Sequence, residues 1–135
     1  MPDVTVEVPV KVKGVSVKDS FDPKYKTSVP KDIKPQIEKA LAKIKLQIPK
    51  GKQLGALAVD VNVSVKRTDK GLTLEVRLVP SEDNKMLGGA SGEGSIALEK
   101  DEKVEDGDVT AAAKAAADEG VKSVIKVFSE KAKKP

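Results

Sequence analysis

The chain has 135 residues, 25 Lys and Arg against 21 Asp and Glu, and three aromatic residues, Phe21, Tyr25 and Phe128. It holds no cysteine, histidine or tryptophan. That excludes disulfides, thiolate metal sites, cysteine nucleophiles, histidine-based triads and the common zinc sites. The net charge of +4 is small and Lys and Glu are interspersed, so nucleic acid is not the expected partner. Plentiful, periodic aliphatic residues argue for one folded domain over 1–135.

Val4, Val6, Val8, Val10 and Val12 alternate with polar residues, which predicts a strand over 3–18 with one buried face. Pro9 places it at a sheet edge. The phase flips at Gly14, after which Val15 and Val17 carry the pattern, so a bulge is expected there. Residues 19–31 are turn-rich and read as a loop that packs back with Phe21 and Tyr25. A helix is expected over 32–48, capped by Asp32, with Pro35 in its first turn. Ile33, Ile37, Ala40, Leu41, Ile44 and Ile48 form its apolar stripe, with Lys34, Lys39, Lys43 and Lys45 outside it.

A hairpin follows over 54–79. Val59, Val61, Val63 and Val65 alternate with Asp60, Asn62 and Ser64, and Leu72, Leu74, Val76 and Leu78 alternate with Thr73, Glu75 and Arg77. Gly71 supplies the positive φ that its loop needs. A strand over 86–99 begins almost without side chains, through Gly88, Gly89, Gly92 and Gly94. The last helix, over 108–129, is capped by Asp108. Six of the seven residues from Ala111 to Ala117 are alanine. Ala112, Ala116 and Gly120 lie on its apolar stripe, and a mid-helix glycine costs roughly 1 kcal/mol against alanine. Two neighbouring elements without bulk imply two backbones in contact. The fold class is α+β. Strands with one apolar and one polar face imply a two-layer sandwich, a four-stranded, mostly antiparallel sheet with two helices on one face.

Little of this carries chemistry. Counted from Asp101, the acidic residues up to Asp108 put lysine and aspartate where a calcium loop needs a ligand and glycine, so they read as a solvated loop and helix cap. Gly92-Glu93-Gly94-Ser95-Ile96-Ala97 fits a loose dinucleotide fingerprint, but that motif needs a strand-to-helix turn, and strand-like residues continue here. Asn62-Val63-Ser64 fits a glycosylation sequon in mid-strand. Asp60 and Glu75 read as part of a cross-strand charge ladder with Lys66 and Arg77. No cofactor, metal or catalytic residue is expected. The candidate interaction surface is Lys34, Lys39 and Lys43 on the first helix with Asp60, Asn62, Glu75 and Arg77 on the polar side of the hairpin.

The run from LGALAVDVNVSVKRTDKGLTLEVRLV through SEDNKM and GGASGEGSIAL to a helix ending VKSVIKVF resembles the tail domain of myxobacterial envelope lipoproteins and HEAT-repeat-associated proteins. Those are similar in turn to curli-assembly-lipoprotein and TolB N-terminal-like α/β domains. The resemblance covers residues 54–128 and lies in the pattern of residue sizes; the lipidated cysteine of those proteins has no counterpart here. It implies a periplasmic or cell-surface module that binds or assembles with another protein and is not an enzyme. Two other readings stand beside it. The basic first helix could hold a polyanion, nucleic acid or anionic lipid, in the cytosol. A designed sequence would show the same tidy Lys/Glu surface, although the phase break at Gly14 and the 19–31 loop depart from an idealised pattern. No run of about eighteen apolar residues predicts a membrane-spanning helix. The first residues form no apolar signal core, as in a cytosolic chain or one whose leader has been removed.

Overall fold

A computed structural model describes residues 2–135. The valine repeat forms two strands, β1 (Asp3–Val8) and β2 (Val10–Ser20), which part at Pro9. Proline cannot donate to a ladder, and here it lets the chain leave one sheet for another. Helix α1 (Tyr25–Leu41) is followed by β3 (Ile44–Pro49), which pairs antiparallel with β1. Then come β4 (Leu57–Thr68), β5 (Gly71–Glu82), the two-residue β6 (Lys85–Met86), β7 (Ala90–Ala97) and α2 (Asp106–Ala132). The main sheet has five strands in the order β2-β4-β5, with β6 and β7 both on the outer side of β5.

The α+β class and the placing of the valine strand at an edge agree with the sequence reading. The four-stranded, mostly antiparallel sheet needs correction. The sheet is mixed: β2 runs parallel to β4, the remaining pairs are antiparallel, and β1–β3 forms a separate ribbon. The ladder between β2 and β4 shifts register between Val12 and Gly14 and again between Val17 and Asp19. The first shift is the bulge that the phase flip demands.

Several boundaries also differ, among them the strand expected over 86–99, which is the short β6 and then β7. Helix α1 starts at Tyr25, inside the expected loop, and ends at Leu41. Its buried stripe is Tyr25, Val29, Ile33, Ile37 and Leu41, one residue every turn, while Ala40 is exposed. Pro30 and Pro35 both lie within it, so the helix runs through one proline expected in the loop before it and one expected in its first turn, held by that apolar face. Asp32 is not its cap; its Oδ2 accepts a hydrogen bond from Thr110 Oγ1 at 3.1 Å, tying α1 to α2. Ile44, Leu46 and Ile48 are buried on one face of β3, with Lys45 and Gln47 exposed. Their spacing of two is a strand period.

Helix α2 begins at Asp106, and its N-cap is Glu105. Asp108 is the other half of a capping box: its Oδ2 accepts the Glu105 N–H at 3.3 Å. At the far end, Lys52 Nζ donates to the carbonyls of Lys131 and Ala132, both at 3.1 Å. A cation there suits the helix dipole.

The core lies between the main sheet and the helices. Val59, Val61, Val63 and Val65 of β4 and Leu72, Leu74, Val76 and Leu78 of β5 are each at most 1% exposed. Helix α1 packs on β2, and α2 packs on β5 and β7. The last of these contacts is made by bare backbone. A Cβ built on Gly92 would overlap the Ala116 carbonyl oxygen and the Gly120 nitrogen, and one on Gly94 would overlap the Ala112 carbonyl. A Cβ on Gly120 would stand 2.5 Å from Leu78 Cδ1 and 3.4 Å from the Gly92 nitrogen. Farther along α2, Val121, Val124 and Phe128 restore bulk.

The turns fix the meander. Asp83 and Asn84 have φ of 51° and 68°, the conformation a two-residue hairpin prefers. The same turn grips the approach to β4: Glu82 Oε2 accepts the Gly55 N–H at 2.7 Å and Asp83 Oδ1 the Ala56 N–H at 2.8 Å. Gly71, with φ of +155°, sits where a Cβ would overlap the Ile96 carbonyl.

Candidate interaction surfaces

With both helices on one side, the other face of the main sheet is left to solvent. Register places Asn62 opposite Arg77 and Ser64 opposite Glu75. Across β5, Glu75 meets Glu93 and Arg77 meets Ser91. Lys18, Asn62, Ser64, Lys66, Glu75 and Arg77 line one shallow depression. The Arg77 and Glu75 side chains pair along the strand at 3.6 Å, and Thr73 Oγ1 lies 3.5 Å from Ser95 Oγ. Two glutamates directly opposite repel; Arg77 beside one and Lys66, lining a second depression with both, offset that repulsion.

Of the expected surface, Asn62, Glu75 and Arg77 come together here. Asp60 is exposed on the same strand face, but its neighbours are Gly14 and Val79. The lysines do not join them. Lys34 lines a groove between α1 and β2, Lys39 is exposed in the last turn of α1, and Lys43 lies beyond the helix, 3.5 Å from Glu7. Lys18, Ser64, Lys66 and Glu93 were missing from the expected set. Ser64 and Lys66 share the alternation of Asn62, and Lys18 follows the inward Val15 and Val17 in the alternation after Gly14, so the places of all three were readable.

The acidic loop into α2 is organised by one cation. Arg67 donates to the carbonyls of Gly71 at 3.2 Å, Glu99 at 2.7 Å and Glu102 at 2.8 Å. The Glu99 and Glu102 carbonyls of that loop are therefore engaged. Among the described residues, no three His, Cys, Asp or Glu side chains converge as a metal set would require. Gly92 and Gly94 lie in mid-strand against α2, away from any strand-to-helix turn.

One ionisable cluster joins the two helix starts. Tyr25 Oη donates to Asp106 Oδ1 at 3.0 Å, and Lys24 Nζ lies 3.0 Å from the same oxygen and 5.1 Å from the Tyr25 ring centre. The hydrogen bonds from Lys24 and then Tyr25 hold the Asp106 carboxyl below the usual carboxylate range. Lys24 is raised, chiefly by its bond to Asp106, and Tyr25 is raised first by burial. A carboxylate depressed by folding stabilises above its unfolded value, about pH 4, and loses that contribution as pH falls through its folded value. Asp106→Asn is therefore expected to lower the urea midpoint at neutral pH, and its gap to the wild type to close in acid. A gap independent of pH would show that charge plays no part.

No family model matches the chain, and no curated protein is significantly similar to it. Among the described residues, no helix is long and apolar enough to cross a membrane.

Proposed function

We propose that the chain is a non-catalytic protein-binding module of a bacterial envelope protein, and that it meets its partner on the open face of the main sheet. The observation that carries this reading is the uncovered face itself. Its side chains mix both charges with hydroxyls and one amide, Asn62, without a deep cleft, which suits a broad polar contact better than a small substrate. The envelope location rests on the likeness of residues 54–128 to lipoprotein tail domains. Lys34, Lys39 and Lys43 do not converge, which leaves the polyanion reading without the surface it was drawn from.

The test exchanges the charges of one pair, Glu75→Arg with Arg77→Glu, which keeps the ion pair and the fold while inverting the surface. Both forms are immobilised and offered envelope and cytosolic extracts. A protein retained from the envelope extract by the wild type, and at least about tenfold less by the exchanged form, supports the proposal. Equal retention by both, or retention of nothing, overturns it. Binding of DNA or anionic vesicles that falls steeply with salt also overturns it, in favour of the lysines.

A further inference from the structure

The two edges of the main sheet are built differently. β2 carries Lys11, Lys13 and Lys18 and two shifts of register, and lysines and bulges keep an edge from pairing further. The other edge, β7, has none of these. Over Ala90–Ala97 its ladder to β5 is unbroken. It holds no lysine or proline, and Glu93 is its one charge.

The unused main-chain groups of β7 follow from the ladder. Leu98 N–H donates to the Lys70 carbonyl at 3.1 Å, in line with the pairing of Gly71 and Ala97. In an antiparallel ladder only alternate pairs exchange hydrogen bonds. Ala90, Gly92, Gly94 and Ile96 therefore turn their N–H and C=O groups to β5, and Ser91, Glu93, Ser95 and Ala97 turn theirs outward. Among the described residues, no main-chain hydrogen bond reaches those outward groups.

These four residues select a second copy of the same strand. Residues opposite one another across an antiparallel pair lie on one face, so a two-fold axis between two β7 strands must pass at a residue. An axis at Gly94 sets Ser91 against Ala97 and Glu93 against Ser95, in both directions. All four outward residues are then paired, with about eight main-chain bonds, and each Glu93 carboxylate faces a hydroxyl. An axis at Glu93 would oppose two glutamates, which repel. An axis at Gly92 or Ser95 leaves outward residues unpaired. Gly94 lies under Ala112, and Ala111 and Ala115 in the same part of α2 are exposed, so the helix offers little bulk to hold off a second copy.

We propose that the chain forms a two-fold dimer by antiparallel pairing of β7 with β7 of a second copy, centred on Gly94. The main sheet then runs on through both copies. Pairing covers the open edge of each, and the guarded β2 edges end the assembly at two. Dimerisation is independent of what the open sheet face binds, and that face stays free in the dimer.

Sedimentation equilibrium of the full chain, with amide exchange, tests this. Expected is a dimer with Kd below about 100 μM. The Ser91, Glu93, Ser95 and Ala97 amides should exchange slowly, and faster on dilution. Ser95→Glu sets carboxylate against carboxylate and should weaken dimerisation at least about tenfold. Adding Glu93→Lys to it should restore the dimer, because each ammonium then faces a carboxylate across the two-fold axis. Urea midpoints show whether the variants fold; should one fail to, the wild-type exchange pattern decides alone. Four results would each overturn the proposal: a weaker constant or none, full dimerisation by folded Ser95→Glu, no recovery in the folded double variant, or concentration-dependent protection outside β7.

Discussion

Gly92→Ala is expected to destabilise the fold by about 3 kcal/mol or more, read from urea unfolding, and Gly94→Ala by a similar amount. The cause is one carbon atom. The added Cβ falls on the Ala116 carbonyl and the Gly120 nitrogen in one case and on the Ala112 carbonyl in the other. These are backbone atoms, and no change of rotamer moves them. Trimming the facing residue with Ala116→Gly is therefore expected to rescue nothing. Gly120→Ala provides the contrast, because its nearest obstacle is the end of the Leu78 side chain. Its cost should be smaller, since alanine regains about 1 kcal/mol of helix propensity, and Leu78→Val should recover part of it. Rescue of Gly92→Ala by Ala116→Gly, or a cost near zero, would mean that helix and strand stand farther apart.

Phe128→Ala is expected to cost about 3–5 kcal/mol. Phe128 is 2% exposed and heads the largest fully buried side chains. It lies where α2 has grown bulky, next to Ser129, which shares a groove with Leu46 and Gln47 of β3. Loss of the ring leaves a cavity that the β1–β3 ribbon, only two strands wide, cannot close. Amide exchange in β1 and β3 should accelerate before that in β4 and β5. Uniform acceleration would show that the ribbon is no separate unit of stability.

The parts that the sequence revealed are those in which local pattern and final environment agree. The alternation of β4 and β5 is covered on one side and wet on the other, so its period survives in the fold. The small residues of β7 and the start of α2 announced their contact because missing side chains serve little else. The failures lie where two periods coincide. Ile33, Ile37, Leu41, Ile44 and Ile48 are spaced by four, four, three and four, so a helical stripe absorbs the strand β3, and only Leu46 betrays the alternation. Tyr25 and Val29 extend the true helix backward, but Pro30 and the turn-rich composition around them conceal it. The parallel pairing of β2 with β4 is set by the α1 crossover, which no residue in either strand announces. The open-face residues were legible in part, since Asn62, Glu75 and Arg77 follow from alternation, whereas joining the α1 lysines to them required knowing which side the helix covers.

The contact of α2 with bare β7 backbone sets the side on which the helices lie, and so the face and the edge left for a partner. Nuclear Overhauser cross-peaks from the glycine Hα protons measure that contact most directly. Gly94 is expected to show strong cross-peaks to Hα of Ala112, and Gly92 to the amide of Gly120. Absence of both, with Ala112 and Ala116 amides exchanging as fast as exposed helix, would contradict the account.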